Sequence, residues 1–149
     1  METIAVIYKM KTAEAKIILK HLVLCKDDFI PVLDSKTNLP AYAKKIAENA
    51  VTFEAWLNSD LIGLIAAYFN DINNQTGFIT NVSIIKEHSG KGVVSQLLSN
   101  CIKYAKENNF KGINLEVNSK NQQALKLYER YDFRVISTNA DLKTMQLNL

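Results

Sequence analysis

The run from Leu61 to Phe69 is almost continuously apolar, bounded by the turn Asn58-Ser59-Asp60 and a polar loop from Asn70 to Thr76. A short apolar run between turn signals predicts a central strand buried on both faces. Around it the pattern alternates between strand and helix. Ile4 to Tyr8 reads as a short strand, and Thr12 to about Leu24 as a helix with Ala15, Ile18, Leu19 and Leu22 along one face. After a loop of turn formers from Lys26 to Asn38, Pro40 suits the first turn of a second helix, whose stripe Tyr42, Ala43, Ile46, Ala47 and Ala50 faces inward. Val51, Phe53, Ala55 and Leu57 alternate with polar or exposed partners, which predicts a strand with one buried face.

Downstream of the central strand, Phe78 to Ile85 is a further strand. It leads through Ser89-Gly90-Lys91-Gly92 into a long helix with the stripe Val94, Leu98, Cys101, Ile102 and Ala105. Ile113, Leu115 and Val117 form the next strand. A helix capped near Asn121 follows, its inner face Ala124, Leu127, Tyr128 and Tyr131, and Phe133 to Ser137 and Thr144 to Leu149 close the sheet. Repeats, low-complexity tracts and linkers are absent, and residues 1–149 are expected to form a single domain.

Two places carry chemical information. The long helix opens on two glycines and a lysine, with no acid in its first turns, although acids favour a helix N-terminus. Free N–H groups, glycines that let a ligand approach and Lys91 nearby suit a pyrophosphate; a helix capped by Ser89 with glycines in an ordinary turn is the plainer alternative. The second place is Glu116 to Phe133, which holds a tyrosine on a helix close to the carboxyl end of a strand. An aromatic at helical spacing also serves core packing, where its phenol would want a partner.

The order strand, Gly-x-Gly helix start, strand, then Asn-x-x-Ala-x-x-Leu-Tyr followed by a Phe resembles the GNAT superfamily of N-acetyltransferases. The resemblance implies a mixed α/β fold of the α+β type: a central, mostly antiparallel sheet flanked by helices, in the order β-α-α-β-β-β-α-β-α-β-β. It implies acetyl-CoA as co-substrate, with the loop Ser89, Gly90, Lys91, Gly92, Val93, Val94 at the pyrophosphate. The family's loop pattern is Gln or Arg, two residues, Gly, one residue, then Gly or Ala; here those places hold Ser89, Gly92 and Val94. Val82, Ser83 and Ile84 fall where the family strand splays and lends backbone groups to the pantetheine arm. Asn121 matches the residue that hydrogen-bonds that arm, and Tyr128 the one that protonates the departing thiolate. Glu116 matches the general base of the ribosomal-protein alanine acetyltransferase branch. The family's glycine before the closing Phe is replaced by Asp132, which also tolerates a left-handed turn. An amine attacking a thioester must be neutral and the leaving thiolate benefits from an acid, so a carboxylate and a phenol supply both roles.

The resemblance places the acceptor near the first two helices and their connecting loop, which implicates Phe29, Pro31, Tyr42, Trp56 and Tyr68. The loop Cys25 to Pro31 mixes acid and aromatic character that suits a cationic amine. Small amines, amino sugars, amino acids and protein amines all remain open, with a small molecule favoured because no extended charged peptide surface is visible. Dimerisation is common in the family and adds a homodimer to the expected partners.

The net charge of +3, from 18 basic and 15 acidic residues, is far from a nucleic-acid signature. No apolar run reaches membrane-spanning length, and charges interrupt Met1 to Lys11 where a signal peptide needs an apolar core, so a cytoplasmic protein is expected. Cys25 and Cys101 read as reduced core thiols, and two histidines, His88 among them beside the glycine loop, are too few for a histidine-rich metal site. Three functional readings follow: an active N-acetyltransferase, an acyl-CoA-binding sensor without turnover, and a non-enzymatic interaction domain.

Overall fold

The computed structural model describes residues 5–35 and 37–149. Strand β3 (Asp60–Asp71) contains the apolar run and is buried on both faces from Leu61 to Ala67. It lies third in a seven-stranded sheet of order β1-β2-β3-β4-β5-β7-β6, whose other strands are β1 (Ile7–Met10), β2 (Val51–Leu57), β4 (Thr76–Ile84), β5 (Gly112–Asn118), β6 (Arg134–Asn139) and β7 (Leu142–Asn148). Neighbours are antiparallel except β4 and β5, which run parallel. Helices α1 (Ala15–Cys25), α2 (Leu39–Asn49), α3 (Val93–Glu107) and α4 (Gln122–Arg130) complete the order β-α-α-β-β-β-α-β-α-β-β inferred from the sequence. Ile4, at the start of the first predicted strand, lies outside the described residues.

Helices α1 and α2 pack on one face of the sheet through Ile18, Leu22, Ala43 and Ile46 against Leu64 and Ala66. The other face carries the larger core, in which Leu97, Leu98 and Cys101 of α3 and Leu125 and Tyr128 of α4 meet Phe53, Ile65, Ile113, Leu115 and Met145. Because α1 and α2 cover β2 to β4, Asn114 and Glu116 of β5 are left on the uncovered part of that face, opposite the buried Ile113 and Leu115.

Four burial patterns differ from expectation: on α4 the buried residues are Leu125 and Tyr128, with Ala124, Leu127 and Tyr131 half-buried. Strand β2 is buried on both faces, because the segment before α1, at Thr12 and Ala13, caps Glu54 and α2 packs on the same strand. On α2, Leu39, Ala43 and Ile46 are buried while Ala47 is exposed. On α3 the deepest residues are Val93, Leu97, Leu98, Cys101 and Ala105, with Val94 and Ile102 half-buried, so the helix is rotated slightly toward β3. Asp132 does adopt a left-handed backbone, with φ of 72°.

Candidate active site

Strands β4 and β5 are paired only from Thr76 opposite Gly112 to Ile79 opposite Leu115. Both strands continue, β4 to Ile84 and β5 to Asn118, so they diverge. The divergence begins at a bulge: Ala66 faces Asn81 and Ala67 faces Ile79, leaving Thr80 as the extra residue on β4. Tyr42 of α2 fastens this point, its hydroxyl donating to the Thr80 carbonyl at 2.8 Å. Val82, Ser83 and Ile84 therefore lie along the open edge of β4. The Ser83 side chain is turned toward α1, so its backbone is what faces the gap.

Helix α3 begins beside the far end of β4. Gly90 and Gly92 have φ of 75° and 81°, conformations that glycine adopts without a Cβ penalty. Gly92 is the N-cap, no side chain caps the helix, and the first turn holds no acid. Ser89 is not the cap: its hydroxyl donates to the Lys86 carbonyl at 2.6 Å. A fifteen-residue helix thus presents its N-terminal donors, with their partial positive charge, toward solvent. The half-buried His88 sits in a 3-10 turn just before the loop.

Asn121 is the N-cap of α4, its side-chain oxygen accepting from the Ala124 N–H at 3.1 Å, which leaves its NH2 for other partners. Tyr128 is 7% exposed and packs 5.8 Å from the Phe133 ring. Burial pushes its phenol well above the ordinary tyrosine value, so it stays protonated. Tyr131 ties α4 to α3, donating to the Ser95 carbonyl at 3.1 Å. Glu116 is exposed, one residue beyond the last β4–β5 pair. Its side chain stands on the opposite face of β5 from Tyr128, because Tyr128 belongs to the α3 and α4 side. Glu116 and Tyr128 thus lie on opposite sides of β5.

Among the proposed acceptor residues, Tyr42 lies at the gap. Tyr68 is half-buried on the same face, with its hydroxyl buried and unpartnered. Trp56 is a core residue, donating through Nε1 to Glu54 at 3.0 Å, and so is removed from the acceptor site. Phe29 is half-buried and Pro31 exposed in the loop after α1, and no hydrogen bond ties either of them to the gap.

The sequence reading missed a polar network beneath β4. His21 of α1 holds the Leu61 carbonyl through Nδ1 at 2.9 Å and meets the Ser83 hydroxyl through Nε2 at 2.8 Å. A carbonyl only accepts, so Nδ1 carries the proton. Burial outweighs the Leu61 bond and pulls the imidazole down to about 4, so it is neutral at physiological pH. Ser83 is also 2.8 Å from the Asn81 side-chain oxygen, and the Asn81 NH2 is buried without a partner. The signal available was a histidine sharing an apolar helix stripe with Ile18, Leu22 and Cys25. Glu54, fully buried, was also missed. It accepts from Thr12 N, Ala13 N, the Thr12 and Thr52 hydroxyls and Trp56 Nε1. Burial works against its charge, but these donors prevail and hold it below the usual carboxylate range. Cys25 and Cys101 are buried, each thiol pushed up to about 12 by burial, with Asp28 adding to the effect at Cys25. Among the described residues no cluster suits a metal, and no helix is long and apolar enough to cross a membrane.

The family model of the GNAT acetyltransferases matches residues 21–133. The chain belongs to the GNAT acetyltransferase family. Streptothricin acetyltransferase A of Bacillus subtilis (strain 168) is 33% identical over 86 residues, which is 58% of this chain and 49% of that protein, so the chain spans about half the length of this relative. A Bacillus anthracis str. Ames structure described as a streptothricin acetyltransferase, in complex with acetyl coenzyme A, is 26% identical, with a TM-score of 0.61 over 68% of this chain and 64% of that one. A GNAT family acetyltransferase from Elizabethkingia anophelis with acetyl-CoA bound shares the fold at 19% identity, with a TM-score of 0.74 over 97% of this chain and 98% of that one.

Proposed function

We propose that this protein transfers the acetyl group of acetyl-CoA to a primary amine of a small molecule by direct attack, without a covalent acyl-enzyme. The observation that carries the reading is the gap in the sheet with Glu116 on one face and Tyr128 on the other. The residues present fit the co-substrate. Ser89 to Val94 offer uncapped helix donors to a pyrophosphate, and the left-handed glycines leave room for it. The open edge at Val82, Ser83 and Ile84 and the NH2 of Asn121 are suited to the amides of the pantetheine arm. Ser89 and Val94 depart from the family's side chains, but the donors are backbone groups that survive both changes.

In this scheme Glu116, directly or through a water, takes a proton from the acceptor amine. Tyr128, protonated at working pH, gives one to the departing thiolate. The likeness to streptothricin acetyltransferases supports a small-molecule acceptor.

Calorimetry with acetyl-CoA and free CoA tests the co-substrate side, with micromolar affinity expected. Tyr128→Phe should lower kcat by roughly 10² while acetyl-CoA still binds; an unchanged kcat removes Tyr128 as the acid. Glu116→Gln should lower kcat by a similar factor, recovered in part at high pH where the amine loses its proton unaided. Tight CoA binding with no turnover of any of a broad amine panel would instead favour a sensor module, a reading motivated by Ser89 at the family's basic position.

A further inference from the structure

On the uncovered face of the sheet, just before β4 and β5 part, lies a cavity of about 300 Å³ lined by Tyr68, Asn70, Asp71, Thr76, Phe78 and Asn114, with Gly77. This volume is at the lower end of small-ligand sites. Asn114 and Glu116 are two residues apart on one strand and point to the same face, so the cavity lies about 7 Å along β5 from the proposed base.

The polar groups of the lining are of both kinds. Asn114 accepts from Gln146 Nε2 at 2.9 Å, which leaves its own NH2 free to donate. The Tyr68 hydroxyl is buried with no partner. Asp71 is oriented by Asn74, which donates from its backbone N–H and its side-chain NH2, both at 3.1 Å, and each carboxylate oxygen keeps a lone pair. The Thr76 hydroxyl donates to the Asn74 carbonyl at 3.1 Å and keeps its acceptor capacity. Donors and acceptors thus line the cavity together with the half-buried Phe78 ring. An occupant that matches them needs groups that donate and accept at once, with an apolar C–H face for the ring; hydroxyls on a saturated ring have that chemistry. Lys45, 5.4 Å over the Tyr68 ring, adds a positive charge on this side, whereas the Asp71 carboxylate, bonded only to the neutral Asn74, keeps its charge and can accept from a hydroxyl or an ammonium.

Resting on the transferase reading, we infer that this cavity receives the body of the acceptor and that the acceptor is a polyhydroxylated amine of single-ring size, an amino sugar in chemical class. Its amine reaches toward Glu116 while its hydroxyls are held by Asp71, Thr76 and Asn114, and its ring lies against Tyr68 and Phe78.

The test compares glucosamine with cyclohexylamine, which has the ring and the amine but no hydroxyls, as acceptors for acetyl-CoA. A site built to hydrogen-bond hydroxyls discriminates strongly against an analogue lacking them. Glucosamine should exceed cyclohexylamine in kcat/KM by at least about 100-fold. Asp71→Asn, which keeps the acceptor for the Asn74 N–H, and Asn114→Ala should each reduce that ratio about tenfold, mainly through KM. Equal kcat/KM for the two amines overturns the inference, as does preference for the linear triamine spermidine. NMR titration of glucosamine into the CoA-loaded protein reads the cavity independently of turnover. Binding without turnover keeps the cavity assignment and removes the transferase reading, whereas turnover of other amines without glucosamine binding removes the cavity assignment alone.

Discussion

Against α3 and α4 the sheet buries Phe53, Ile65, Leu97, Leu98, Ile113, Tyr128, Phe133 and Met145, a set whose one hydroxyl is that of Tyr128. Against α1 and α2 the buried apolar set is small, and the buried polar or charged side chains His21, Thr52, Glu54, Asn81 and Ser83 all stand on that side. The first face is held by non-directional burial, which makes a stiff plate behind Tyr128. The second is held by directional bonds that fix where β4 sits and where it leaves β5. On this reading the acid side of the site depends on packing and the acceptor side on hydrogen bonding.

The largest effects should come from one deletion on each face. Leu98→Ala on α3 is expected to cost about 2–5 kcal/mol in urea unfolding. Glu54→Ala should cost a comparable 3–5 kcal/mol or so, because several buried donors lose their acceptor together. The two differ in pH dependence. The folded-state value of Glu54 is depressed, so its contribution is present above the ordinary carboxylate value and is lost as pH falls through the folded one. The Leu98→Ala cost should be insensitive to pH. A Glu54→Ala penalty below about 1 kcal/mol, or one that persists undiminished in acid, would break the comparison.

His21 sharpens it in a different window. Its folded value of about 4 lies below the ordinary histidine value of 6.5, so the unfolded chain takes up a proton first. Stability should therefore decline as pH falls from about 6.5 toward 4, by on the order of 3 kcal/mol. A His21→Asn variant should lack that decline; if its pH profile matches the parent's, the imidazole is not the group that titrates. The smallest expected effect is at the turn after α4, where Asp132→Gly should stabilise the protein by about 0.5–1 kcal/mol by relieving a left-handed residue, measured as a rise in Tm.

Much of the apolar side was legible because burial leaves a periodic trace. The run Leu61 to Phe69, the stripe ending in Cys101 and Ala105, and the position of Tyr128 on α4 all follow from spacing. The polar side was not, since a buried Glu54 between Thr52 and Trp56 looks in sequence like the solvated face of an ordinary strand. What buries it is the backbone of Thr12 and Ala13, more than forty residues earlier, and no local pattern records that contact. Trp56, expected near the acceptor, is buried beside Glu54 through the same contact, donating to it from Nε1.

By itself the sequence determined the element order, the apolar plate and the Asn121 to Phe133 motif, because each depends on residues close along the chain whose burial repeats with a helix or strand period. Only the tertiary structure decided that β4 and β5 part after Ile79 and Leu115, that Glu116 and Tyr128 lie on opposite sides of β5, and that a cavity lined by Tyr68, Asp71, Thr76, Phe78 and Asn114 opens beside the parting. Those features arise where distant segments meet, and their geometry is set by register, bulge and packing rather than by any stretch of residues alone.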